Sequence, residues 1–254
     1  MSRRRFYATR IDSTQAWIEG RTARHLIDVL RAKPGQLYDI AFSGRAWLGR
    51  IATVGRDRVS FELVEELEET ATGLQIDLAP SIVKFDPFEW MLEKATELGV
   101  TRIHPLMTRR TEPRLGEAAG KRSERWQRLL IDATQQSRRT TPPDLLPPRS
   151  LSEFLQQERP TEGETGTLRL IASELGDAEP LRRRIEALTP PQRCVVLIGP
   201  EGGWTEDEAT AAQAAGFLPI SLGPRILRAE TASLSVLAVL QMWWGEGEKS
   251  AVSC

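Results

Sequence analysis

The chain has 254 residues, and because one domain usually holds roughly 100–200 residues, we expect two compact units. Hydrophobic residues make up 40% and charged residues 27%, which is typical of folded proteins and excludes wholesale disorder. The two cysteines, Cys194 inside an apolar run and Cys254 at the end, indicate neither a disulfide framework nor a metal site. No segment approaches the ~20 apolar residues of a membrane span, so we expect a cytoplasmic protein.

The net charge of −1 hides an uneven distribution of charge along the chain. Residues 1–60 carry twelve basic residues against five acids, and residues 101–150 carry eleven against five. Two basic blocks in a nearly neutral chain indicate a surface that faces a polyanion. Ordinary solvated charge is the alternative that composition alone leaves open.

The N-terminal region has the pattern of a small β-barrel. Short β segments at 37–42 and 47–52 are separated by glycine turns, and an acidic run at 65–69 marks a boundary. We therefore predict a barrel domain over residues 1–70. One helix is predicted to interrupt it, because four apolar residues share a single helical face: Ala23, Leu26, Ile27 and Leu30.

From residue 74 the pattern changes to strands that alternate with helices, which predicts an α/β domain with a mostly parallel sheet over residues 74–254. Asp86 before Pro87, with Glu89 at the third helical position, is typical of a helix N-cap and capping box, and Gly99 is typical of the end of the same helix. The predicted strands are 74–83, 100–106, 168–172, 194–198 and 217–222. Further helices are predicted at 121–137, after Pro180, at 205–216 and near the C-terminus. The prolines at 142–148 predict a stiff connector.

The densest motif is the run 194–208, in which a buried strand leads into the glycine-rich turn 199–203. Glycines at a strand end allow the backbone to approach a ligand closely, because no Cβ stands in the way. Thr205 and Glu208 then have the spacing of a capping box that starts a helix. The turn lacks both the P-loop and the dinucleotide pattern, so we expect a ligand other than a nucleotide phosphate.

A second turn, at 223–232, opens the C-terminal helix. It combines two arginines, Arg225 and Arg228, with the acid Glu230 at a helix N-terminus. This combination suits a ligand that carries a carboxylate beside an anionic nucleic acid.

Together, the turns 198–203 and 222–231 closely resemble those of the bacterial 16S ribosomal RNA uridine-N3 methyltransferases of the SPOUT superfamily. The resemblance covers nearly the whole chain, including the segments 24–31 and 93–100. It implies a C-terminal SPOUT domain with a trefoil knot, a PUA-like β-barrel in front of it, and a homodimer. It also implies S-adenosylmethionine as the cofactor and N3 of uridine 1498 in 16S ribosomal RNA as the methylated atom.

The resemblance and the chemistry of uridine together suggest roles for individual residues. Uridine N3 is weakly acidic, so Arg228 is expected to stabilise the uridinate and Glu230 to orient that arginine or accept the proton. A surface ion pair and helix capping are the alternatives. The expected cofactor-binding residues are Leu197, Ile198, Gly199, Pro200, Glu201, Gly202, Gly203, Leu222, Gly223, Ile226, Leu227, Arg228 and Thr231. The expected RNA-binding residues are Arg3, Arg4, Arg5, Arg24, Arg31, Gln136, Arg138 and Arg139.

Some residues fit more than one interpretation. Arg138 stands where the family often has a small residue, so the basic loop is retained but its RNA contacts can differ from those of the family. Trp243 and Trp244 fit either a dimer surface or the core. His104 is expected to be structural. The alternatives for function are a SPOUT methyltransferase of transfer RNA, acting on a base or a ribose, and a non-catalytic RNA-binding protein of ribosome assembly.

Overall fold

The computed structural model describes residues 3–68, 73–174 and 178–245. The chain divides into two compact units, one of residues 1–70 with 131–142, the other of residues 71–130 with 143–254. The predicted boundary at 70–74 falls largely on residues 69–72, which lie outside the described part. Residues 131–142, which we had placed in the C-terminal domain, cluster with the first unit instead.

The first unit contains one six-stranded sheet. Its strands are β1 (Arg5–Tyr7), β2 (Arg10–Ile11), β3 (Gln15–Glu19), β4 (Leu37–Phe42), β5 (Arg45–Val54) and β6 (Arg58–Leu67). Their order is β1-β4-β5-β6-β3-β2, with β1 parallel to β4 and the other pairs antiparallel. The two strands predicted from the sequence lie in β4 and β5, so both predictions are confirmed.

The predicted helix of this unit is present in two parts. Helix α1 (Gly20–Arg24) continues directly into a π-helical turn, His25–Val29. Ala23 and Leu26 are fully buried in the core of the unit, and the two other apolar residues of the predicted face pack against that core. The face is therefore confirmed, although the hydrogen-bond pattern changes along it.

Residues 131–142 join the first unit through main-chain carbonyl groups. The Arg5 guanidinium donates to the carbonyl of Arg138, and the Arg138 guanidinium donates to the carbonyl of Arg3. The hydroxyl of Tyr7 donates to the carbonyl of Arg139 at 3.2 Å. These long-range bonds explain why the segment clusters with strand β1 rather than with its neighbours in sequence.

Among its described residues, the second unit contains nine strands: β7 (Gln75–Pro80), β8 (Arg102–Ile103), β9 (Leu106–Met107), β10 (Asp144–Leu145), β11 (Arg149–Ser150), β12 (Thr167–Ala172), β13 (Glu179–Pro180), β14 (Arg193–Ile198) and β15 (Leu218–Ser221). Seven of them form a sheet in the order β10-β8-β7-β14-β12-β15-β13, and every pair in it is parallel. Strands β9 and β11 form a separate parallel pair. The prediction of a mostly parallel sheet is confirmed.

Helices connect these strands: α2 (Phe85–Glu97), α3 (Pro113–Ala119), α4 (Ser123–Gln136), α5 (Leu151–Gln157), α6 (Leu181–Glu186), α7 (Glu206–Ala214) and α8 (Ala229–Leu240). A π-helical turn, Gln241–Gly245, follows α8. The sequence did not predict α3 or α5. Within the described residues, no helix is long and apolar enough to cross a membrane.

The helix ends test the predicted capping residues. The N-cap of α2 is Lys84, so the prediction of Asp86 as N-cap is wrong, and Asp86 lies inside the first turn. Glu89 pairs with Arg122 and Arg125 and does not reach back to the cap. The predicted capping box of Thr205 and Glu208 is confirmed.

The sheet of the second unit is covered on both faces. Because alternate residues of a strand point to opposite faces, Cys194, Val196 and Ile198 of β14 join the core that contains α2 and α8, whereas Val195 and Leu197 join the core that contains α5 and α7. Burial raises the pKa of the Cys194 thiol, which makes it an inert core residue.

Candidate active site

A cavity lies at one edge of the parallel sheet. Strands β14, β12 and β15 are neighbours and run in the same direction, so their carboxyl ends, at Ile198, Ala172 and Ser221, meet at this edge. The segments that follow these strands enclose a cavity of about 1080 Å³. Open α/β sheets bind ligands at the carboxyl ends of their strands, which makes this cavity the candidate site.

The structure brings most of the predicted cofactor-binding residues to this cavity. Those that line it are Ile198, Gly199, Pro200, Gly202, Gly203, Leu222, Gly223, Ile226 and Leu227. Four predicted residues do not line it. Leu197 points into the opposite core because of the strand alternation, and Glu201, Arg228 and Thr231 are exposed beside lining residues.

The first glycine turn depends on a close approach between Gly199 and Trp204. A Cβ on Gly199 would lie 3.1 Å from the Trp204 indole, which is closer than most packed side chains come. Trp204 is itself buried and lines the cavity. The turn therefore packs against its own tryptophan, and glycine at position 199 lets the indole lie this close without displacement.

The second turn depends on the backbone of Gly223. Its φ angle is +118°, a conformation that L side chains rarely adopt, and a Cβ there would meet no atom of the described protein within 4 Å. The space above Gly223 therefore belongs to the cavity. Ala229 and Ala232, from the first turn of α8 onward, also line the cavity, so the positive end of that helix dipole faces a ligand.

The charged residues that line the cavity have both signs. The acids are Glu174, Glu206 and Asp207, and the cations are Arg110 and Arg225. This lining fits a ligand that carries positive and negative groups at once. Across residues 3–68, 73–174 and 178–245, no group of three or more His, Cys, Asp or Glu side chains is arranged to hold a metal ion.

The two predicted catalytic residues flank Ala229, which lines the cavity. Arg228 is the exposed N-cap of α8, and it makes no ion pair with any residue in the described part of the chain. Glu230 is 9% exposed, and no described residue hydrogen-bonds to its carboxylate. Neither charge is therefore paired within the described residues, although neither residue is among those that line the cavity.

Several residues of the site were not predicted from the sequence. Ser173 and Glu174 directly follow β12, whose end was predicted from the sequence. Because ligands bind at the carboxyl ends of parallel strands, this position could have identified both residues as part of the site. Trp204 stands inside the recognised motif but was not singled out. Arg110 comes from the segment between β9 and α3, and the sequence carries no signal that joins this segment to the glycine turns.

The predicted RNA-binding residues all lie in the first unit. Six of them are exposed: Arg3, Arg4, Arg24, Arg31, Gln136 and Arg138. Arg139 is partly buried, and burial lowers the pKa of its guanidinium. Arg5 is 9% exposed and is engaged by the Arg138 carbonyl and by Asp39. A phosphate would not reach Arg5 without breaking these contacts, so a structural role suits this residue better than RNA binding.

The model of the family described as RNA methyltransferase domain matches residues 70–241, which include the whole cavity. A ribosomal RNA small subunit methyltransferase E of a Synechocystis species is 33% identical over 216 residues, 84% of this chain and 68% of that protein. The chain belongs to the ribosomal RNA small subunit methyltransferase E family. The resemblance inferred from the sequence is thereby confirmed.

Two solved methyltransferase structures share the fold. A ribosomal RNA small subunit methyltransferase E of Neisseria gonorrhoeae, crystallised with S-adenosylmethionine, is 34% identical and superposes with a TM-score of 0.83, covering 96% of this chain and 99% of that chain. A methyltransferase of Legionella pneumophila, solved with bound S-adenosylmethionine, has 28% identity and the same TM-score, covering 95% of this chain and 98% of that chain. The family fold therefore extends over both units.

Proposed function

We propose that the chain transfers a methyl group from S-adenosylmethionine to N3 of uridine 1498 in the 16S ribosomal RNA of the small ribosomal subunit. One observation carries this proposal: both glycine turns that resemble the family line a single cavity at the carboxyl ends of β14, β12 and β15. Ribosomal RNA is a cytoplasmic substrate in bacteria, so the proposal includes a cytoplasmic location.

The cavity suits the cofactor in size and in chemistry. Ligand cavities hold roughly 300–1,000 Å³, so a volume of about 1080 Å³ has room for the cofactor and for part of a second substrate. Ile198, Leu222 and Leu227 offer an apolar wall to an adenine ring, and the acidic lining residues can face the positive groups. When bound, S-adenosylmethionine supplies a methyl carbon activated by a sulfonium.

The remaining catalytic work falls to the protein. Uridine N3 lies on the Watson–Crick edge, so the target base must be unpaired before the methyl carbon can reach it. Its N3 proton must also leave, and negative charge then develops on the uracil ring. Arg228 would stabilise that charge, and Glu230 would orient Arg228 or accept the proton, because neither residue is committed to a partner among the described residues.

The first unit is proposed to dock the RNA as a PUA-like barrel. Its six-stranded sheet and its exposed cations, among them Arg4, Arg24 and Arg138, support this role. Phosphate contacts of this kind position RNA without reading its sequence. Arg5 is left out of the proposed contacts because it is buried.

A trefoil knot is proposed for the second unit. Strand β15 lies beyond β12 in the sheet, yet the next helix, α8, packs against α2, β7 and β14 on the other side of β12. The chain therefore crosses back over the edge of the sheet at which both glycine turns lie. A C-terminal segment threaded through a knot would follow such a path.

A homodimer is also part of the proposal. Trp243 is 45% exposed and Met242 69% exposed, whereas Trp244 packs against the core. Exposed aromatic residues are enriched at protein interfaces. Light scattering should give the mass of two chains, and Trp243→Arg should shift the mass toward one.

Nucleoside analysis tests the proposed reaction. The protein is incubated with S-adenosylmethionine and with small ribosomal subunits from a strain that lacks this modification, and the digested RNA is examined by mass spectrometry. N3-methyluridine is the expected product. A ribose-methylated nucleoside, a product formed only on transfer RNA, or no product at all would contradict the proposal.

A further inference from the structure

The segment between β9 and α3 forms part of the cavity wall, although it is distant in sequence from both glycine turns. Thr108 and Thr111 close it into a tight turn, with the Thr111 N–H donating to the Thr108 carbonyl at 3.1 Å. The next contact fixes the turn to α7: the N–H of Arg109 donates to Oε1 of Glu208 at 2.8 Å.

Glu208 holds two segments with one carboxylate. While Oε1 accepts from Arg109, Oε2 accepts from the N–H of Thr205 at 3.0 Å as part of the capping box. Glu208 is 7% exposed, so these bonds are formed away from water, where they are stronger. The residue after Arg109 is therefore held in a fixed position beside the turn 199–205.

That residue is Arg110. Its guanidinium donates to the carbonyl of Gly202, and a Cβ on Gly202 would lie 3.0 Å from the Arg110 Cδ. Glycine at 202 thus lets the arginine lie across the turn. Arg110 lines the cavity and is exposed.

The charge of Arg110 is not used by the described protein. No carboxylate among residues 3–68, 73–174 and 178–245 pairs with it, whereas the neighbouring Arg109 lies 3.9 Å from Asp207. A guanidinium has five N–H donors, and the Gly202 carbonyl engages only one nitrogen. The remaining donors and the full positive charge are available to a ligand.

We propose that Arg110 binds an anionic oxygen of a substrate in the cavity, beside the Gly202–Gly203 turn. The inference rests on the proposed function, which supplies two sources of such an oxygen: the carboxylate of S-adenosylmethionine and a phosphate of the RNA strand that carries the target uridine. Guanidinium groups bind both of these anions in a bidentate manner.

Three variants of the full chain test this role. Arg110→Gln removes the charge but keeps an N–H donor for the Gly202 carbonyl, and Arg110→Lys keeps the charge. Arg109→Gln is the matched control, because it removes a neighbouring cation that does not line the cavity. For each we would measure the melting temperature, the calorimetric Kd for S-adenosylmethionine and for its decarboxylated form, and KM and kcat with 16S ribosomal RNA.

The two sources of the anion give different results. If Arg110 binds the carboxylate, Arg110→Gln should raise the Kd for S-adenosylmethionine roughly 10–100-fold. The Kd for the decarboxylated form should not change. If it binds a phosphate, KM for RNA should rise by a similar factor and its salt dependence should flatten, with cofactor affinity unchanged. In both cases Arg110→Lys should retain more affinity than Arg110→Gln.

The proposal is overturned if Arg110→Gln and Arg109→Gln give the same Kd and KM values. It is also overturned if Arg110→Gln and Arg110→Lys lower the melting temperature and the affinity together, because the arginine would then only support the turn. Failure of the wild-type protein to methylate RNA would count against the proposed function instead. The two cofactor titrations would then still decide whether Arg110 binds the carboxylate, and the Kd of the same variants for 16S ribosomal RNA, measured directly, would decide whether it binds a phosphate.

Discussion

The indole N–H of Trp204 donates to the backbone carbonyl of Ala172 at 2.8 Å. Ala172 ends β12, and Trp204 belongs to the turn that follows β14, so this bond joins two of the three strand ends that enclose the cavity. The shape of the cavity therefore depends on a side chain in the interior of the glycine-rich motif.

Trp204→Phe should weaken cofactor binding without unfolding the protein. The phenyl ring keeps part of the packing against Gly199 but loses the hydrogen bond to Ala172, which is worth about 0.5–1.5 kcal/mol. Calorimetric titration with S-adenosylmethionine should show a Kd raised about two- to tenfold. Trp90→Phe, on an exposed tryptophan of α2, is the control and should bind normally.

Gly223→Ala separates backbone strain from ligand space. The substitution forces a positive φ on alanine, which costs about 1–2 kcal/mol, and its Cβ would enter open space at the cavity that we propose holds the cofactor. Gly163→Ala is a matched control, since Gly163 has φ +81°, has no atom near its Cβ and does not line the cavity. Both variants should lose similar stability in thermal unfolding, and Gly223→Ala alone should lose cofactor affinity. Equal cofactor affinity in the two would remove Gly223 from the site.

Arg228→Ala should lower turnover far more than RNA affinity. A fixed cation that stabilises developing charge acts mainly in the transition state, and losing such a group typically reduces kcat by about 10²-fold or more. Arg24→Ala, in the exposed basic surface of the first unit, should raise KM for RNA and leave kcat nearly unchanged. Steady-state kinetics on 16S ribosomal RNA measures both. A variant at Arg228 with normal kcat and raised KM would show that this arginine is only another phosphate contact.

Asp77 predicts how stability depends on pH. Burial raises the pKa of this carboxyl, but hydrogen bonds from Arg102 and Arg193, together with the His104 ring 3.7 Å away, outweigh burial and lower the pKa from 3.8 to about 2. Because the pKa is lower in the folded state, the ionised carboxyl stabilises the fold at pH values above its pKa in the unfolded chain. This contribution to the free energy of unfolding, about 2–3 kcal/mol, is lost as the pH falls from about 4 toward 2.

In chemical denaturation, Asp77→Asn should therefore have a much lower free energy of unfolding than the wild type at pH 7. The difference between the two proteins should become smaller below pH 4. The exposed Asp144→Asn, on the edge strand of the same sheet, is the control and should change little at either pH. A difference between Asp77→Asn and wild type that stays constant from pH 7 to pH 2 would contradict this account of the carboxyl.

The elements that the sequence predicted well are those with a repeating local signal. Strand β14 is a continuous apolar run, and α7 begins at a capping box, so both follow from nearest neighbours in the chain. The start of α2 was misplaced because Asp86 and Glu89 fit the capping pattern, whereas tertiary ion pairs with Arg122 and Arg125 determine where Glu89 points.

The parts of the site that escaped prediction are set by long-range contacts. Arg110 reaches Gly202 across 92 positions of sequence, through a turn fixed by Glu208, and no local pattern encodes that approach. Burial of Arg5 likewise depends on the carbonyl of Arg138, 133 positions away. The sequence indicates a uniform basic patch at Arg3, Arg4 and Arg5. In the fold, however, Arg3 and Arg4 are exposed whereas Arg5 is buried.

Primer extension on 16S ribosomal RNA tests the central claim most directly, because a methyl group on uridine N3 blocks base pairing and stops reverse transcriptase. RNA is taken from a strain without this modification that expresses either the wild-type chain or Gly223→Ala. The account predicts one new stop, at uridine 1498, with the wild-type chain and a much weaker stop with the variant. No stop with the wild-type chain, or an equally strong stop with both, would contradict it.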